Sequence, residues 1–296
     1  MKPPLDPILI RFGPNLGIHW YGILIVSGVM LGAVYAAWRA KQAGDDPDHV
    51  WNALILAITL GIIGARIYHV FSNPAGMIGW DYYKENPIEV FYIWQGGLGI
   101  YGAIIGGALG ILTYAWRANL KALRWLDYGA PGLALGQAIG RWGNFINQEL
   151  YGPPTDLAWG LIIDPAHRIP PYNDLTTYPL DTLFHPTFLY ESLWCLLLFI
   201  SLAVISRKLK DKLLPGDILL GYLIGYPLGR FFIEYFRPDA WTIGSIAAAQ
   251  LFALISIAAA VAILAVRHVR AKEKENGIEN GIENEIENSS QSDLDV

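Results

Sequence analysis

The sequence has few charged residues and a single cysteine. Asp, Glu, Lys and Arg make up 16% of its 296 residues, whereas roughly a quarter of residues are charged in soluble globular proteins. Hydrophobic residues make up 53%. This composition excludes an ordinary soluble domain and predicts a membrane protein. Because Cys195 stands alone in an apolar run, a disulfide framework is excluded as well.

The chain also lacks a strong charge of one sign, and we expect that its N-terminus is not a cleaved secretory leader. Its net charge is −5 and its C-terminal end is acidic, so we expect no nucleic-acid partner. The N-terminus, MKPPLDPILIRFG, has prolines and an aspartate where a signal peptide has a basic segment followed by an apolar core. We therefore expect the first helix to be an uncleaved membrane anchor.

Long apolar runs are present instead. Several reach the ~20 residues that a helix needs to cross a hydrocarbon core of ~30 Å, and they lack the alternation of a β-barrel. They predict an all-α membrane protein with about seven transmembrane helices, at residues 18–38, 51–71, 96–116, 125–146, 186–206, 216–235 and 243–266. Residues 1–270 are expected to form one membrane domain.

Basic residues in the loops predict the orientation, because short loops rich in Lys and Arg stay in the cytoplasm. These residues are concentrated after the first, third and fifth spans: Arg39, Lys41, Arg117, Lys121, Arg124, Arg207, Lys208, Lys210 and Lys212. The N-terminus is then outside, the C-terminus is cytoplasmic, and residues 147–185 form an outward-facing cap loop. The acidic repeats of residues 271–296 predict a disordered cytoplasmic tail.

Three arginines fall within the predicted spans, where a charged side chain costs at least ~2.5 kcal/mol on insertion scales. They are Arg66, Arg141 and Arg230. Each is a candidate functional residue, and the alternative is snorkelling to the interface or pairing with a structural carboxylate. The dense glycines of GGLGIYGAIIGGALG, residues 96–110, predict close helix packing.

Polar residues accompany Arg230 at helical spacing. Arg230, Glu234 and Arg237 follow the i, i+4, i+7 pattern of one helical face. A carboxylate between two guanidinium groups leaves a net positive charge. This face is therefore predicted to hold an anion, with Glu234 fixing the geometry.

Polar residues also accompany Arg141, in the stretch GRWGNFINQELYG at residues 140–152. Arg141, Asn144 and Gln148 follow i, i+3 and i+7 spacing, and Asn147 and Glu149 come at the end of the helix. Guanidinium groups match phosphate oxygens in bidentate geometry. Both arginine groups therefore predict a site for a phosphate-bearing lipid headgroup near the outer leaflet.

The stretch GRWGNFINQELYG resembles the signature of the prolipoprotein diacylglyceryl transferases, Gly-Arg-x-Gly-Asn-Phe-x-Asn-x-Glu-x-x-Gly, and fills every fixed position. Five more stretches support the resemblance: HWYG at 19–22, GARIYHV at 64–70, WQGGLGIYG at 94–102, HPTFLYES at 185–192 and GRFFIEYFRPD at 229–239. The resemblance covers essentially the whole chain except the acidic tail. It implies a seven-helix catalytic domain in the bacterial inner membrane and a role in lipoprotein biosynthesis, at the first step of maturation.

The resemblance implies transfer of the diacylglyceryl group of phosphatidylglycerol to the lipobox cysteine of a preprolipoprotein, with release of glycerol phosphate. The partners implied are phosphatidylglycerol, the lipobox segment and the membrane, and the reaction needs no metal or other cofactor. Arg141 and Arg230 would be catalytic residues that bind the phosphate, because arginines stabilise developing charge best where water is scarce. By the same resemblance, the other residues of the site are Tyr21, Asn144, Asn147, Glu149, Glu234 and Arg237, of which Asn144 and Glu149 are also catalytic candidates.

Tyr101 departs from the pattern in much of the family, where this position is a histidine proposed as the base that activates the thiol. Tyrosine has a reference pKa of ~10 against ~6.5 for histidine, so it needs nearby arginine charge to act as a base at neutral pH. Tyr101 is a candidate catalytic residue, either as that base or as a hydrogen-bonding group for the headgroup. In the second case the thiol loses its proton to a carboxylate, to His19 or to water near the arginines.

Two other functions are compatible with intramembrane arginines. A transporter for anionic lipid would also use arginines and glycine-rich helices, but the sequence has no inverted repeat. An assembly protein that only binds anionic lipid would need the same arginines, yet it gives no reason for Asn144, Asn147 and Glu149 to occur together. Transfer of labelled lipid to a lipobox peptide distinguishes an enzyme from both.

Overall fold

The structure, a computed structural model, describes residues 1–4, 6–13, 17–72, 78–238, 241–244 and 246–292, without the side chains of residues 95, 243 and 277–292. Within these ranges the chain is mostly helical, in agreement with the predicted class. The α-helices are α1 (Trp20–Gln42), α2 (Asp48–Phe71), α3 (Trp80–Glu85), α4 (Ile100–Arg117), α5 (Ala122–Ile146), α6 (Thr187–Lys208), α7 (Asp217–Ile233) and α8 (Ala248–Ser292).

Short strands and 3₁₀ helices occupy several of the connections. The described strands form antiparallel pairs: β1 (Ile8–Arg11) with β2 (Gly17–His19), β3 (Leu161–Ile162) with β4 (Leu183–Phe184), and β5 (Thr242–Ile243) with β6 (Ile246–Ala247). The 3₁₀ helices are Pro87–Phe91, Ile93–Gln95, Pro165–His167 and Glu234–Phe236. Sequence analysis did not predict these strands, because runs of two to four residues are too short to show a recognisable alternation.

Four of the described helices are long and apolar enough to cross a membrane: α1, α2, α6 and the part of α8 at Ala248–Asn276. The other three predicted spans also form helices, but these are shorter or more polar. α4 has 18 residues and α7 has 17, while α5 contains Arg124, Asp127 and Arg141. The helices therefore support a multi-pass membrane protein, and the count of seven spans stays a prediction.

Two predicted spans start several residues before their helices. α4 begins at Ile100 and not at residue 96, because Gly96 and Gly97 adopt left-handed φ values of 90° and 73°. α8 begins at Ala248 and not at residue 243, because the chain first makes the hairpin of β5 and β6. Apolar composition continues through both turns, so hydropathy alone does not mark them.

The described residues form two compact units: a central unit, Val26–Gly136, and a terminal unit, Met1–Ile25 with Gln137–Val296. In the central unit, glycines bring neighbouring helix backbones almost into contact. A Cβ added to Gly64 of α2 would lie 3.2 Å from Gly106 Cα of α4, and one added to Gly32 of α1 would lie 2.7 Å from Gly132 O of α5. The close packing predicted for the glycine-rich stretch is therefore confirmed in its helical part.

Arg66 is buried in the central unit, where backbone carbonyls surround it. Its described hydrogen bonds go to Val90 O (2.7 Å), Glu89 O (2.5 Å), Gly96 O (2.9 Å) and Gly97 O (3.1 Å), and its guanidinium lies 5.1 Å from the ring of Tyr83. These bonds hold the connection between α3 and α4 against α2. Arg66 thus has a structural role, through carbonyls and not through the carboxylate that the alternative interpretation had proposed.

In the terminal unit, side chains on one helix bind backbone carbonyls on the next. Ser192 of α6 donates a hydrogen bond to Ala138 O of α5 at 2.8 Å. Trp194 of α6 donates to Gly225 O of α7 at 2.8 Å. Gln250 of α8 donates to Phe231 O of α7 at 3.2 Å. These bonds hold α5, α6, α7 and α8 in register with one another. Arg141, Glu191 and Arg230 of the candidate site lie on the first three of these helices.

The segment between α5 and α6 is folded around its own hydrophobic cluster, formed by Tyr151, Leu161, Ile163, Tyr172, Phe184 and Phe188. Arg168, with 6% of its surface exposed, organises the chain around this cluster. It donates to the carbonyls of Ile163, Tyr178, Pro179 and Leu180. The segment is therefore an ordered part of the terminal unit, and its outward orientation stays a prediction.

The backbone of α8 is helical as far as Ser292, beyond the predicted end of the membrane domain at residue 270. Residues 277 and 281 are glycines, and each costs ~1 kcal/mol relative to alanine in a helix interior. The predicted disorder of residues 271–296 stays a prediction.

Candidate active site

Glu191 joins the two arginines that the sequence analysis singled out in the terminal unit. It lies on α6 with 3% of its surface exposed. Its Oε1 accepts a hydrogen bond from Arg230 Nη1 at 2.8 Å, and its Oε2 lies 2.5 Å from Arg141 Nη2. One carboxylate from α6 therefore fixes a guanidinium group from α5 and another from α7.

Arg230 also pairs with Glu234, four residues later. Their Nη2 and Oε2 atoms are 2.6 Å apart, and the Glu234 side chain is only 4% exposed. The pairing predicted from i, i+4 spacing is confirmed. The shared helical face does not extend to Arg237, because α7 ends at Ile233 and Arg237 has an extended backbone with φ −105° and ψ 105°.

Arg141 begins a second chain of contacts. Its Nη1 donates to Asn144 Oδ1 at 3.4 Å, and its Nη2 donates to the hydroxyl of Tyr226 at 3.5 Å. Asn144 Nδ2 in turn donates to Glu149 Oε1 at 2.8 Å, and Asn147 Nδ2 donates to the same oxygen at 3.3 Å. The polar residues that follow Arg141 in the sequence are thus connected to it in space.

Gln148 points away from this chain of contacts. α5 ends at Ile146, so the predicted i+7 position is not on the helix. Gln148 has a left-handed φ of 55°, and its Oε1 accepts a hydrogen bond from Asp164 N at 2.8 Å. The interpretation of Gln148 as part of the arginine face is wrong, and the residue anchors the loop that carries Glu149.

The paired arginines and carboxylates balance in charge. Arg141, Arg230, Glu191 and Glu234 contribute two positive and two negative charges, with side chains between 4% and 19% exposed. A guanidinium has five N–H donors. The described contacts use three on Arg141 and two on Arg230, which leaves donors for an anion. Within the ranges that the structure describes, no three His, Cys, Asp or Glu side chains are grouped to hold a metal ion.

The two tyrosines predicted for the site lie in different units. Tyr21 packs its ring against α5 in the terminal unit, where a Cβ on Gly143 would lie 2.8 Å from Tyr21 Cε2. It therefore contacts the helix that carries Arg141. Tyr101 belongs to the central unit, is 62% exposed, and has its ring centroid 5.6 Å from that of Tyr68.

Glu191 and Tyr226 are site residues that the sequence patterns above do not predict. The signal for Glu191 was available, because it is the only Asp, Glu, Lys or Arg in residues 187–206 and an intramembrane carboxylate is a functional candidate by default. The stretch HPTFLYES also contains it. Tyr226 is one of 16 tyrosines in the chain, and only its position four residues before Arg230 distinguished it.

A buried group of arginines and carboxylates among apolar helices is typical of a membrane protein that handles an anionic group. The chain belongs to the prolipoprotein diacylglyceryl transferase family, whose sequence profile matches residues 7–266. The match contains the whole arginine group and stops before the acidic tail.

Proteins named phosphatidylglycerol–prolipoprotein diacylglyceryl transferase are similar to the chain over most of its length. The one from Chloroflexus aggregans is 46% identical over 288 residues, which cover 91% of this chain and 92% of that protein. The one from Synechococcus elongatus is 41% identical, with 85% and 84% covered. The one from Limosilactobacillus reuteri is 39% identical, with 94% and 97% covered.

Proposed function

We propose that this protein transfers the diacylglyceryl group of phosphatidylglycerol to the lipobox cysteine of preprolipoproteins, forming a thioether and releasing glycerol phosphate. The observation that carries the proposal is the pair Arg141 and Arg230, held together by Glu191 among apolar helices. Membership of the family and the names of its relatives support the same reaction.

The proposed reaction is a displacement at carbon. The cysteine sulfur forms a bond to the glycerol carbon that bears the phosphoester, and the bond between that carbon and the phosphate oxygen breaks. The electron pair leaves with the phosphate, which gains one negative charge. Arg141 and Arg230 donate hydrogen bonds to the phosphate oxygens, and these bonds strengthen as the charge develops.

The carboxylates of the site keep the arginines in place before the lipid binds. Glu191 contacts both guanidinium groups and Glu234 contacts Arg230, so the donors are already oriented. Oriented charges in a water-poor site need no reorganisation during the reaction, which is the main source of electrostatic catalysis. Glu191 and Glu234 therefore act as positioning residues.

The thiol must also lose a proton. Glu191 and Glu234 are buried and already engaged in ion pairs with arginine before the thiol arrives. We propose that Tyr101 donates a hydrogen bond to the headgroup and that the base lies elsewhere, at another carboxylate, at His19 or at water near the arginines. A cysteine thiol has an unperturbed pKa of ~8.5, so positive charge nearby favours its ionisation.

The proposed setting is the bacterial inner membrane. Seven spans, with the N-terminus outside and the C-terminus in the cytoplasm, agree with the basic loops and with helices at all seven predicted positions. The folded segment between α5 and α6 then faces outward. In this orientation the site lies on the side where secreted preprolipoproteins emerge.

A transfer assay tests the proposed function. Purified protein in detergent is incubated with phosphatidylglycerol labelled in its acyl chains and with a lipobox peptide. We expect the label to move to the peptide, and we expect no transfer to a matched peptide with serine in place of the cysteine. A transporter or a lipid-binding assembly protein would bind or move the labelled lipid without modifying either peptide.

A further inference from the structure

A cavity of about 280 Å³ lies in the terminal unit beside the loop that carries Glu149. Its lining includes Asn147, Glu149, Tyr151, His167 and Ile169. Pockets for drug-sized ligands usually measure roughly 300–1,000 Å³, so this cavity suits a group of only a few heavy atoms. Neither the sequence patterns nor the contacts of the arginines require it.

The loop at the edge of this cavity is held in an unusual conformation. Gln148 and Leu150, on either side of Glu149, have left-handed φ values of 55° and 56°, which non-glycine residues seldom adopt. Two hydrogen bonds maintain this loop conformation. Gln148 Oε1 accepts one from Asp164 N, and Leu150 O accepts the other from the hydroxyl of Thr187. Strained backbone of this kind concentrates at functional sites.

A second part of the cavity lining is also fixed. The hydroxyl of Tyr151 accepts a hydrogen bond from Ile169 N at 2.6 Å and donates to His167 O at 3.4 Å. Tyr151 itself is buried, with 3% of its surface exposed. The position of His167 relative to the loop of Glu149 is therefore determined by the fold of this segment.

Asn144 connects the cavity to the arginine pair. Its Oδ1 accepts from Arg141 and its Nδ2 donates to Glu149, so a single amide group separates the guanidinium from the carboxylate at the cavity. A substituent on a phosphate held by Arg141 would therefore extend past one side-chain amide to reach the cavity. That substituent cannot be anionic, because the cavity contains the Glu149 carboxylate.

We propose that this cavity binds the vicinal diol of the headgroup glycerol, on the leaving side of the donor phosphodiester. The proposal rests on the proposed function and adds to it the origin of headgroup selectivity. The two hydroxyls donate to the Glu149 carboxylate and exchange hydrogen bonds with His167 and Asn147. A site built to hydrogen-bond hydroxyls discriminates strongly against an analogue that lacks them, because its polar groups are then left unpaired.

Two donor lipids that differ only in this diol test the proposal. Phosphatidylglycerol and phosphatidyl-1-propanol share the phosphodiester and the three-carbon headgroup chain. We expect the wild-type protein to prefer phosphatidylglycerol by about 10- to 100-fold in kcat/KM, the range expected for a hydrogen bond to a charged group. His167→Ala should reduce this preference by about three- to tenfold, and Glu149→Gln should reduce it further.

Control variants separate this inference from the proposed function. Arg141→Ala should abolish transfer from both donors, because both carry the phosphate. Asp181→Asn, an exposed change elsewhere in the same segment, should leave the preference unchanged. Equal use of both donors by the wild type, or an equal loss of both in His167→Ala and Glu149→Gln, would overturn the diol site. If His167→Ala and Glu149→Gln raise only the KM for the peptide, the cavity belongs to the protein substrate. If the wild type transfers from neither donor, the proposed function itself is refuted.

Discussion

At the scale of single residues, the charge balance around Glu191 determines how the site responds to an anion. The four paired side chains are neutral together, so the phosphodiester of the proposed substrate would bring a net negative charge, which the remaining arginine donors would oppose. The position of the guanidinium groups then matters more than their number. Glu191 controls that position, because it is the residue that contacts both.

We expect Glu191→Gln to lower kcat by at least about tenfold while the KM for phosphatidylglycerol stays the same or falls. Without the carboxylate the arginines keep their attraction for phosphate but lose their alignment, and an effect confined to kcat marks a transition-state interaction. Removing one partner of a buried pair also costs about 3–5 kcal/mol, so thermal unfolding must be measured beside the kinetics. Glu234→Gln, which affects Arg230 alone, is the matched control and should have the smaller effect. If kcat and the folded fraction fall in proportion, Glu191 is only structural.

Tyr101 gives a second test at this scale. We expect Tyr101→Phe to lower activity moderately and to leave clear turnover, because it removes one hydrogen bond to the headgroup and leaves the base in place. Loss of a general base would cost about 10²–10⁴-fold. Tyr101→His, which restores the family residue, should be tolerated. Complete loss of transfer in the folded phenylalanine variant would make Tyr101 the base.

Residue roles were only partly predictable from the sequence. Spacing correctly linked Arg230 with Glu234 and Arg141 with Asn144, because helical neighbours three or four positions apart share a face. It failed for Gln148 and Arg237, because both lie beyond the ends of their helices. Glu191 stands out in the sequence as an intramembrane carboxylate, but its two arginine partners do not, because no local pattern encodes the contact between α5, α6 and α7.

At the scale of elements, glycine determines how closely α2 and α4 approach each other. A Cβ on Gly102 would lie 2.6 Å from Tyr68 Cβ and from the carbonyl carbon of Gly64. A Cβ on Gly107, five residues further along α4, would meet nothing nearer than Ala57 O at 3.7 Å. The two positions therefore differ in packing although both are glycines of the same helix.

We expect Gly102→Val to destabilise the protein by about 1–3 kcal/mol or more, the usual cost of overpacking, and Gly107→Val to have a much smaller effect. Thermal unfolding of the two purified variants in the same detergent measures the difference. Similar losses at both positions would mean that helix propensity, and not contact with α2, explains the requirement for glycine.

Helix positions were largely predictable because long apolar runs have few alternatives in lipid. The starts of α4 and α8 were less predictable, because glycine turns at residues 96–97 and 244 interrupt runs whose composition stays apolar. The role of Arg66 was also hidden. Its partners are backbone carbonyls of a connection 23 to 31 residues away, and side-chain patterns carry no information about them.

At the scale of the whole molecule, the loop charges predict the topology. Reporter domains fused after Arg207 or at the C-terminus should be cytoplasmic, and a reporter inserted between Thr155 and Asp181 should be external. The same fusions made on a chain with Lys208, Lys210 and Lys212 changed to glutamine serve as a control for the charge argument. An external C-terminus in the unmodified protein would contradict it.

The central claim is that Arg141 and Arg230 hold the phosphate of phosphatidylglycerol while the diacylglyceryl group moves to a cysteine. The most direct measurement follows both products in one reaction, with the lipid labelled differently in its acyl chains and in its headgroup. For the wild type we predict one glycerol phosphate released for each thioether formed. Arg141→Ala and Arg230→Ala should form neither product while remaining folded in the membrane. Lysine at either position should restore little of the transfer activity, because a point charge does not reproduce the guanidinium fork. Peptide modification without release of glycerol phosphate, or near-normal turnover in either alanine variant, would contradict the account.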